Sequence, residues 1–190
     1  MQNDTFEMST GQAHEFAMAC GRNGLTHADV KKICEGATLA DFRKVVRGHA
    51  SIVVAQHVID LDAEPFVPDG WSVDEHRKDG QFTWDSAKTG LYLSKAQKSG
   101  KWVEGNKLRK ELAERPVFNA NLLDYLLKHP HLIPEEWKGK YVFFWGTIYR
   151  NSSGYLRVRC LCFGWDGWYW DYRWLDHDWR DDRPAALRAS

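Results

Sequence analysis

The sequence predicts an α+β protein: an N-terminal three-helix cluster followed by a mixed region that ends in a Trp-rich antiparallel β-meander. Three observations carry this. Residues 9–50 hold three short amphipathic stretches, each opened by a capping signal and separated by glycines. Residues 141–175 hold three aromatic, β-prone runs separated by short turns. Ten tryptophans in 190 residues exceed what a small core needs by chance, and they concentrate in that last region.

The elements follow in order. Ser9 with Gln12 has capping-box spacing, and Thr26 with Asp29 and Thr38 with Asp41 repeat it with Asp as the acid. Gly24 and Gly36 stand where helices should stop. Ala13, Phe16, Ala17 and Cys20 share one face of the first helix; Val30, Ile33 and Cys34 share one on the second; Phe42, Val45 and Val46 share one on the third. This makes 9–50 a helical subdomain and 51–190 an α+β domain with an antiparallel sheet. Residues 51–64, SIVVAQHVIDLDAE, read as extended. Short strands are expected at Trp71–Val73, Gln81–Trp84 and Leu91–Ser94. Two helices follow, the first capped by Asn106 and carrying Leu108 and Leu112. The second is capped by Asn119 or Asn121 and carries Leu122, Leu123, Leu126 and Leu127. Those leucines call for a cover, so the meander should pack one face on both helices. YVFFWGTIYR at 141–150, Tyr155–Phe163 and Trp168–Leu175 are the three strands, joined at Asn151–Gly154 and Gly164–Gly167. The tail after Trp179 is charged and is expected to fray.

Composition restricts the function. Twenty-six basic residues match 26 acidic ones, which disfavours a whole-molecule grip on nucleic acid or an anionic membrane. Cys20, Cys34, Cys160 and Cys162 include no CxxC pair, so free thiols in a reducing cytoplasm are expected, with no zinc site. MQNDTFEMSTGQ has neither a basic nor an apolar leader region, and no run reaches membrane-spanning length. No HExxH, GxSxG, Walker or GxGxxG pattern is present, and no cofactor is expected.

Three constellations remain. On the last strand Trp168, Trp170, Tyr172 and Trp174 fall on one face, with Tyr169, Asp171, Arg173 and Leu175 on the other. Tyr141, Phe143, Trp145 and Tyr149 share a face of the first strand. Such rings serve as sheet glue, at about 0.2–1 kcal/mol per cross-strand pair. With Arg157, Arg159 and Arg173 nearby, they also suit a protein-binding platform, because Trp, Tyr and Arg dominate binding hot spots. Asp60, Asp62 and Glu64 alternate as paired carboxylates would in a divalent-metal site, and equally as a solvated strand end would. Residues 27–48 resemble a helix-turn-helix whose second helix carries Arg43, Lys44 and Arg47, or an ordinary helical hairpin with a basic face. His129-Pro130-His131 reads as a helix stop.

The blocks STGQAHEF, VIDLDAEPFVPDGWSVDEH, LYLSKAQKSGK, GNKLRKEL, NANLLDYLLKHP and LIPEEWKGKYVFFWGTIYR resemble an uncharacterised family of bacterial hypothetical proteins. The resemblance runs from about residue 9 to the end. It implies a bacterial, cytoplasmic protein evolving as one unit and transfers no catalytic residue. The leading expectation is therefore a non-enzymatic protein that binds another protein, such as an inhibitor or adaptor in bacterium–mobile-element conflict. The alternatives are a nucleic-acid-binding regulator using the N-terminal helix pair and a metal-dependent hydrolase using Asp60, Asp62 and Glu64.

Overall fold

Two capping boxes set the start of the first helices. In α1 (Thr10–Arg22) the Ser9 hydroxyl accepts the Gln12 amide, and the Gln12 side chain accepts the Ser9 amide. In α2 (His27–Cys34) Thr26 and Asp29 do the same. The third box does not form. Thr38 is already the first residue of α3 (Thr38–Val46), its N-cap is Ala37, and Asp41 pairs with Lys44 instead. The computed structural model describes residues 7–53 and 55–189. Val54, in the stretch expected to be extended, and Ser190, at the end of the tail, lie outside them. The chain divides into two compact units, Met1–Ala55 and Gln56–Ser190. Among the described residues the protein is mixed α/β, with five α-helices and a curled mixed sheet.

The second unit begins with β1 (Val58–Asp60), the only strand among the described residues of the expected 51–64 stretch. It pairs with β3 (Gln81–Thr83) rather than with a neighbour in sequence. β2 (Trp71–His76) and β4 (Thr89–Tyr92) join the large sheet at separate places. β5 (Val103–Glu104) leads directly into α4 (Gly105–Leu112). Glu104, not Asn106, is the N-cap of α4. Gly105 is required there, because a Cβ would fall 2.3 Å from Trp179 Nε1 and 2.7 Å from the Leu175 carbonyl. α5 (Ala120–Lys128) is capped by Asn119, whose side-chain oxygen accepts the Asn121 amide. The same Asn119 donates to the carbonyls of Leu61 (2.7 Å) and Arg77 (2.8 Å), so one buried amide ties three segments together.

The expected strand 141–150 is two strands, β6 (Val142–Phe143) and β7 (Thr147–Asn151). The chain breaks at Gly146, where a Cβ would meet the Asn119 backbone at 2.8 Å. Both pair with β8 (Leu156–Gly164), and β9 (Gly167–Trp174) pairs with β8 on its other side along its full length. Beyond β7 lies β2, and beyond β6 lie β11 (Ala185–Arg188) and then β4. A two-residue β10 (Asp178–Trp179) pairs with β5.

The tail therefore does not fray. β11 runs between β4 and β6, with Ala185 and Ala186 buried. Small side chains suit this slot, and the backbone of 116–118 adds bonds from Phe118 N–H to the Ala186 carbonyl and from Arg188 N–H to the Pro116 carbonyl.

Alternation along β8 divides the core. Val158, Cys160 and Cys162 face a layer with Leu108 and Leu112 of α4, Phe143, Trp145 and Trp179. Leu161 faces a layer with Leu122, Leu123 and Leu126 of α5, Phe118 and Phe144. The two leucine-bearing helices thus cover opposite faces of the sheet, where a shared face was expected. Among the described residues no helix is long and apolar enough to cross a membrane.

Ending the chain after Arg183 removes β11 and orphans buried backbone groups of its neighbours, at about 1–3 kcal/mol each. A total stability of about 5–15 kcal/mol does not survive several such losses. The expected outcome is loss of the cooperative thermal transition and of near-ultraviolet circular dichroism. An unchanged melting curve would contradict the placement of β11.

Candidate partner-binding surface

The face of β8 that carries Leu161 also carries Arg157 and Arg159, opposite Trp174 and Tyr172 of β9. Two arginines two residues apart meet very different surroundings. Arg159 is 1% exposed and makes two hydrogen bonds to Asp124 of α5, at 3.0 and 2.6 Å. Its guanidinium lies 4.5 Å from the Trp170 ring centre and 5.1 Å from that of Phe66. Burial works against its charge, but the Asp124 carboxylate outweighs burial, with help from Tyr149, and raises its pKa. Burial also raises the Tyr149 phenol, whose hydroxyl donates to the Phe66 carbonyl.

Arg157 lies toward the other end of the strand, over the rings of Trp71 (4.8 Å), Tyr172 (4.4 Å) and Trp174 (5.0 Å). All four side chains are half-buried. Among the described residues Arg157 has no ion-pair partner, and its buried Nε has no acceptor. The rings meet edge to face: Trp71 with Tyr172 at 5.0 Å and 84°, Tyr172 with Trp174 at 5.2 Å and 78°. β9 pairs only with β8 among the described residues, so its far edge is open. On that strand the Tyr172 amide donates to the Asp171 carboxylate.

The expected platform thus divides into parts. Trp168 and Trp170 are half-buried against the layer under α5. Arg159 is a correction: a guanidinium enclosed by Asp124 has no surface left for a partner. Arg173 belongs to the opposite face. Its Nε donates to the Asp178 carbonyl, and it lines a polar pocket of about 560 Å³ with Asp176, His177, Asp178, Arg180 and Arg183. Burial there lowers its pKa, and the neighbouring Arg183 charge adds to that. Arg157, Tyr172 and Trp174 stay together. Trp71 is the member that sequence reading missed, because it arrives by the long-range pairing of β2 with β7. Phe143, Trp145 and Tyr149 of the first aromatic run are buried, while Tyr141 is exposed.

The carboxylates of 60–64 do not converge. The Asp60 Oδ1 accepts the Asp62 amide, and the Asp62 Oδ1 accepts the Gly80 amide, so both shape a turn. Among the described residues no three His, Cys, Asp or Glu side chains are grouped to hold a metal ion. His129 and His131 instead gather with His57, with ring centres 5.4 to 6.1 Å apart, and Tyr125 hydrogen-bonds His57 at 3.0 Å. Arg43 and Lys44 lie on α3, and Arg47 is its C-cap. Cys160 and Cys162 are buried with sulfurs 3.6 Å apart, and burial pushes the Cys160 thiol well up.

No protein-family model matches the chain, no curated protein matches it, and no solved structure matches it.

Replacing Arg159 by Met strands the Asp124 carboxylate. Losing one partner of a buried pair costs about 3–5 kcal/mol. The lower end applies here, because Asp124 keeps 22% of its side chain in water. The double replacement Arg159→Met with Asp124→Leu should recover most of the loss. Urea denaturation midpoints check this, and a double variant no better than the single one would refute it.

Proposed function

We propose that the protein is a non-enzymatic binding protein that docks an extended, acidic segment of a protein partner at the open end of its aromatic sheet. The observation that supports it best is Arg157: a half-buried guanidinium framed by Trp71, Tyr172 and Trp174, with no carboxylate partner among the described residues. A carboxylate from a partner supplies the missing counter-charge in a partly desolvated setting, where a charge-assisted hydrogen bond is strong. The open edge of β9 offers backbone groups to an extended chain, the mode in which main-chain bonds give affinity and side-chain pockets give specificity. In this reading β7, β8 and β9 act as one meander that carries the surface, and α1–α3 form a separate three-helix module.

Recovery of bound proteins from nuclease-treated host lysate tests the reading. We expect a discrete partner retained by the intact chain, lost with Arg157→Ala or Trp174→Ala, and kept with Arg180→Ala on the opposite side. Capture that depends on nucleic acid, or that ignores Arg157, would overturn it.

A further inference from the structure

Cys160 and Cys162 have no part in the surface around Arg157. They stand two residues apart on β8, on the face turned toward α4, and are 1% and 2% exposed. Their sulfurs lie 3.6 Å apart. A buried cysteine ordinarily packs as a small apolar side chain. Two features set this pair apart. The strand holds both thiols side by side, with Cys160 paired to Phe143 of β6 on one side and to Asp171 of β9 on the other. And Cys160 lines a small cavity.

The separation of the sulfurs says what the pair can hold. A disulfide needs Cα atoms no more than about 7 Å apart. Alternate residues of a strand, at a rise of about 3.3 Å each, already sit close to that limit. Closing the bridge would strain a strand that is fixed on both sides. A shared metal ion needs no such movement. Two thiolates about 2.3 Å from one ion and 3.6 Å from each other subtend about 100° at it, an angle suited to three- or four-fold coordination. Among the described residues no third His, Cys, Asp or Glu is grouped with them, so a closed four-ligand zinc centre does not form. Two thiolates by themselves suit a soft ion that accepts few ligands.

We propose that Cys160 and Cys162 form a two-thiolate site for a soft monovalent metal ion, Cu(I). The cavity gives it access: about 170 Å³, lined by Cys160 with Tyr141, Phe143, Asp171, Arg173 and Arg183. Tyr141 and Asp171 are exposed, so the thiol lies one side chain below the surface. Binding breaks two S–H bonds and forms two Cu–S bonds. Two protons leave to solvent, copper stays Cu(I), and no electron moves. Two thiolates on one monovalent ion carry one negative charge in excess. On the cavity wall Arg183 is answered by Asp182 at 3.0 Å, and the Asp171 carboxylate accepts the Tyr172 amide at 2.7 Å. Arg173 has no ion-pair partner among the described residues, and its guanidinium is the group left to meet that charge. Burial favours the protonated Cys160 thiol, so uptake weakens as pH falls.

The test uses the full chain carrying Cys20→Ser and Cys34→Ser, because Cys34 is exposed and Cys20 partly so. Cu(I) is offered without oxygen, in competition with a coloured Cu(I) chelator. We expect one ion taken up per chain, two protons released, and two sulfur neighbours in the copper X-ray absorption spectrum. Adding Cys162→Ser should abolish uptake with near-ultraviolet circular dichroism unchanged. Should that variant unfold, the absorption spectrum of the parent decides by itself. No uptake, a copper shell without sulfur, uptake retained by Cys162→Ser, or Zn(II) bound as tightly as Cu(I) would each overturn the proposal. None of these results touches the Arg157 surface.

Discussion

The contact between Arg159 and Asp124 is the constraint on which the second unit depends. β8 is the strand to which β6, β7 and β9 all pair, so whatever fixes α5 to β8 fixes the helix to the whole sheet. A buried guanidinium is costly unless its charge and its fork of donors are both satisfied. A two-bond contact with one carboxylate meets that need in a single geometry, and thereby sets the position of α5 along the strand. The pair also gives Trp170 and Phe66 a cation to pack upon. Two residues away Arg157 has the rings but, among the described residues, no carboxylate. The same strand face thus passes from a closed ion pair under α5 to an unanswered cation toward the edge.

The opposite face is built on close approach instead. α4 starts at Gly105 because Trp179 and Leu175 leave no room for a side chain, and Trp179 in turn meets Phe143 edge to face at 4.3 Å and Trp145 at a tilt at 4.6 Å. The indole nitrogens of Trp145 and Trp179 are buried with no partner among the described residues. These two rings are therefore packing material, held for their area, unlike the half-exposed rings of β9. The many tryptophans serve two purposes, and only their position in the sheet separates them.

Much of the local structure was legible in the sequence because it is set by neighbours in the chain. Ser9 with Gln12, Thr26 with Asp29, and Asn119 before its leucines mark helix starts through bonds spanning two or three residues. The turns at Asn151–Gly154 and Gly164–Gly167 likewise bracket β8 and β9 correctly. What failed was set by distant partners. β11 is short, contains two alanines and follows a charged stretch, and only the waiting edges of β4 and β6 make it a strand. The break at Gly146 comes from the Asn119 backbone, which no local pattern reveals. That Arg157 and Arg159 lie beside the aromatic strand was readable, but their pairing with Trp174 and Tyr172 and the closure of Arg159 by Asp124 were not, because those depend on the registers of β9 and α5. Trp71 was invisible as a neighbour of Tyr172 for the same reason. The spacing of Asp60, Asp62 and Glu64 suggested convergence on the assumption of a regular strand, and the chain turns at Asp60 instead.

The arrangement of the rings bears on the docking role proposed for the sheet. A platform for bases or sugars needs free ring faces, since stacking is face to face. Here Trp71 and Tyr172 meet at 84°, Tyr172 and Trp174 at 78°, and the Arg157 guanidinium lies over all three rings. His177 packs on Trp174 at 4.9 Å. The ring faces are already engaged within the protein, so what this surface offers outward is one cation, ring edges and an open strand edge. Neutral net charge adds no long-range pull on a polyanion. Those features favour a peptide carboxylate with an extended backbone beside it over a stacked nucleotide. The rings then act on Arg157 itself: held by three aromatic neighbours, it loses little side-chain freedom on meeting an acid, and a smaller ordering cost leaves more of the contact energy as affinity.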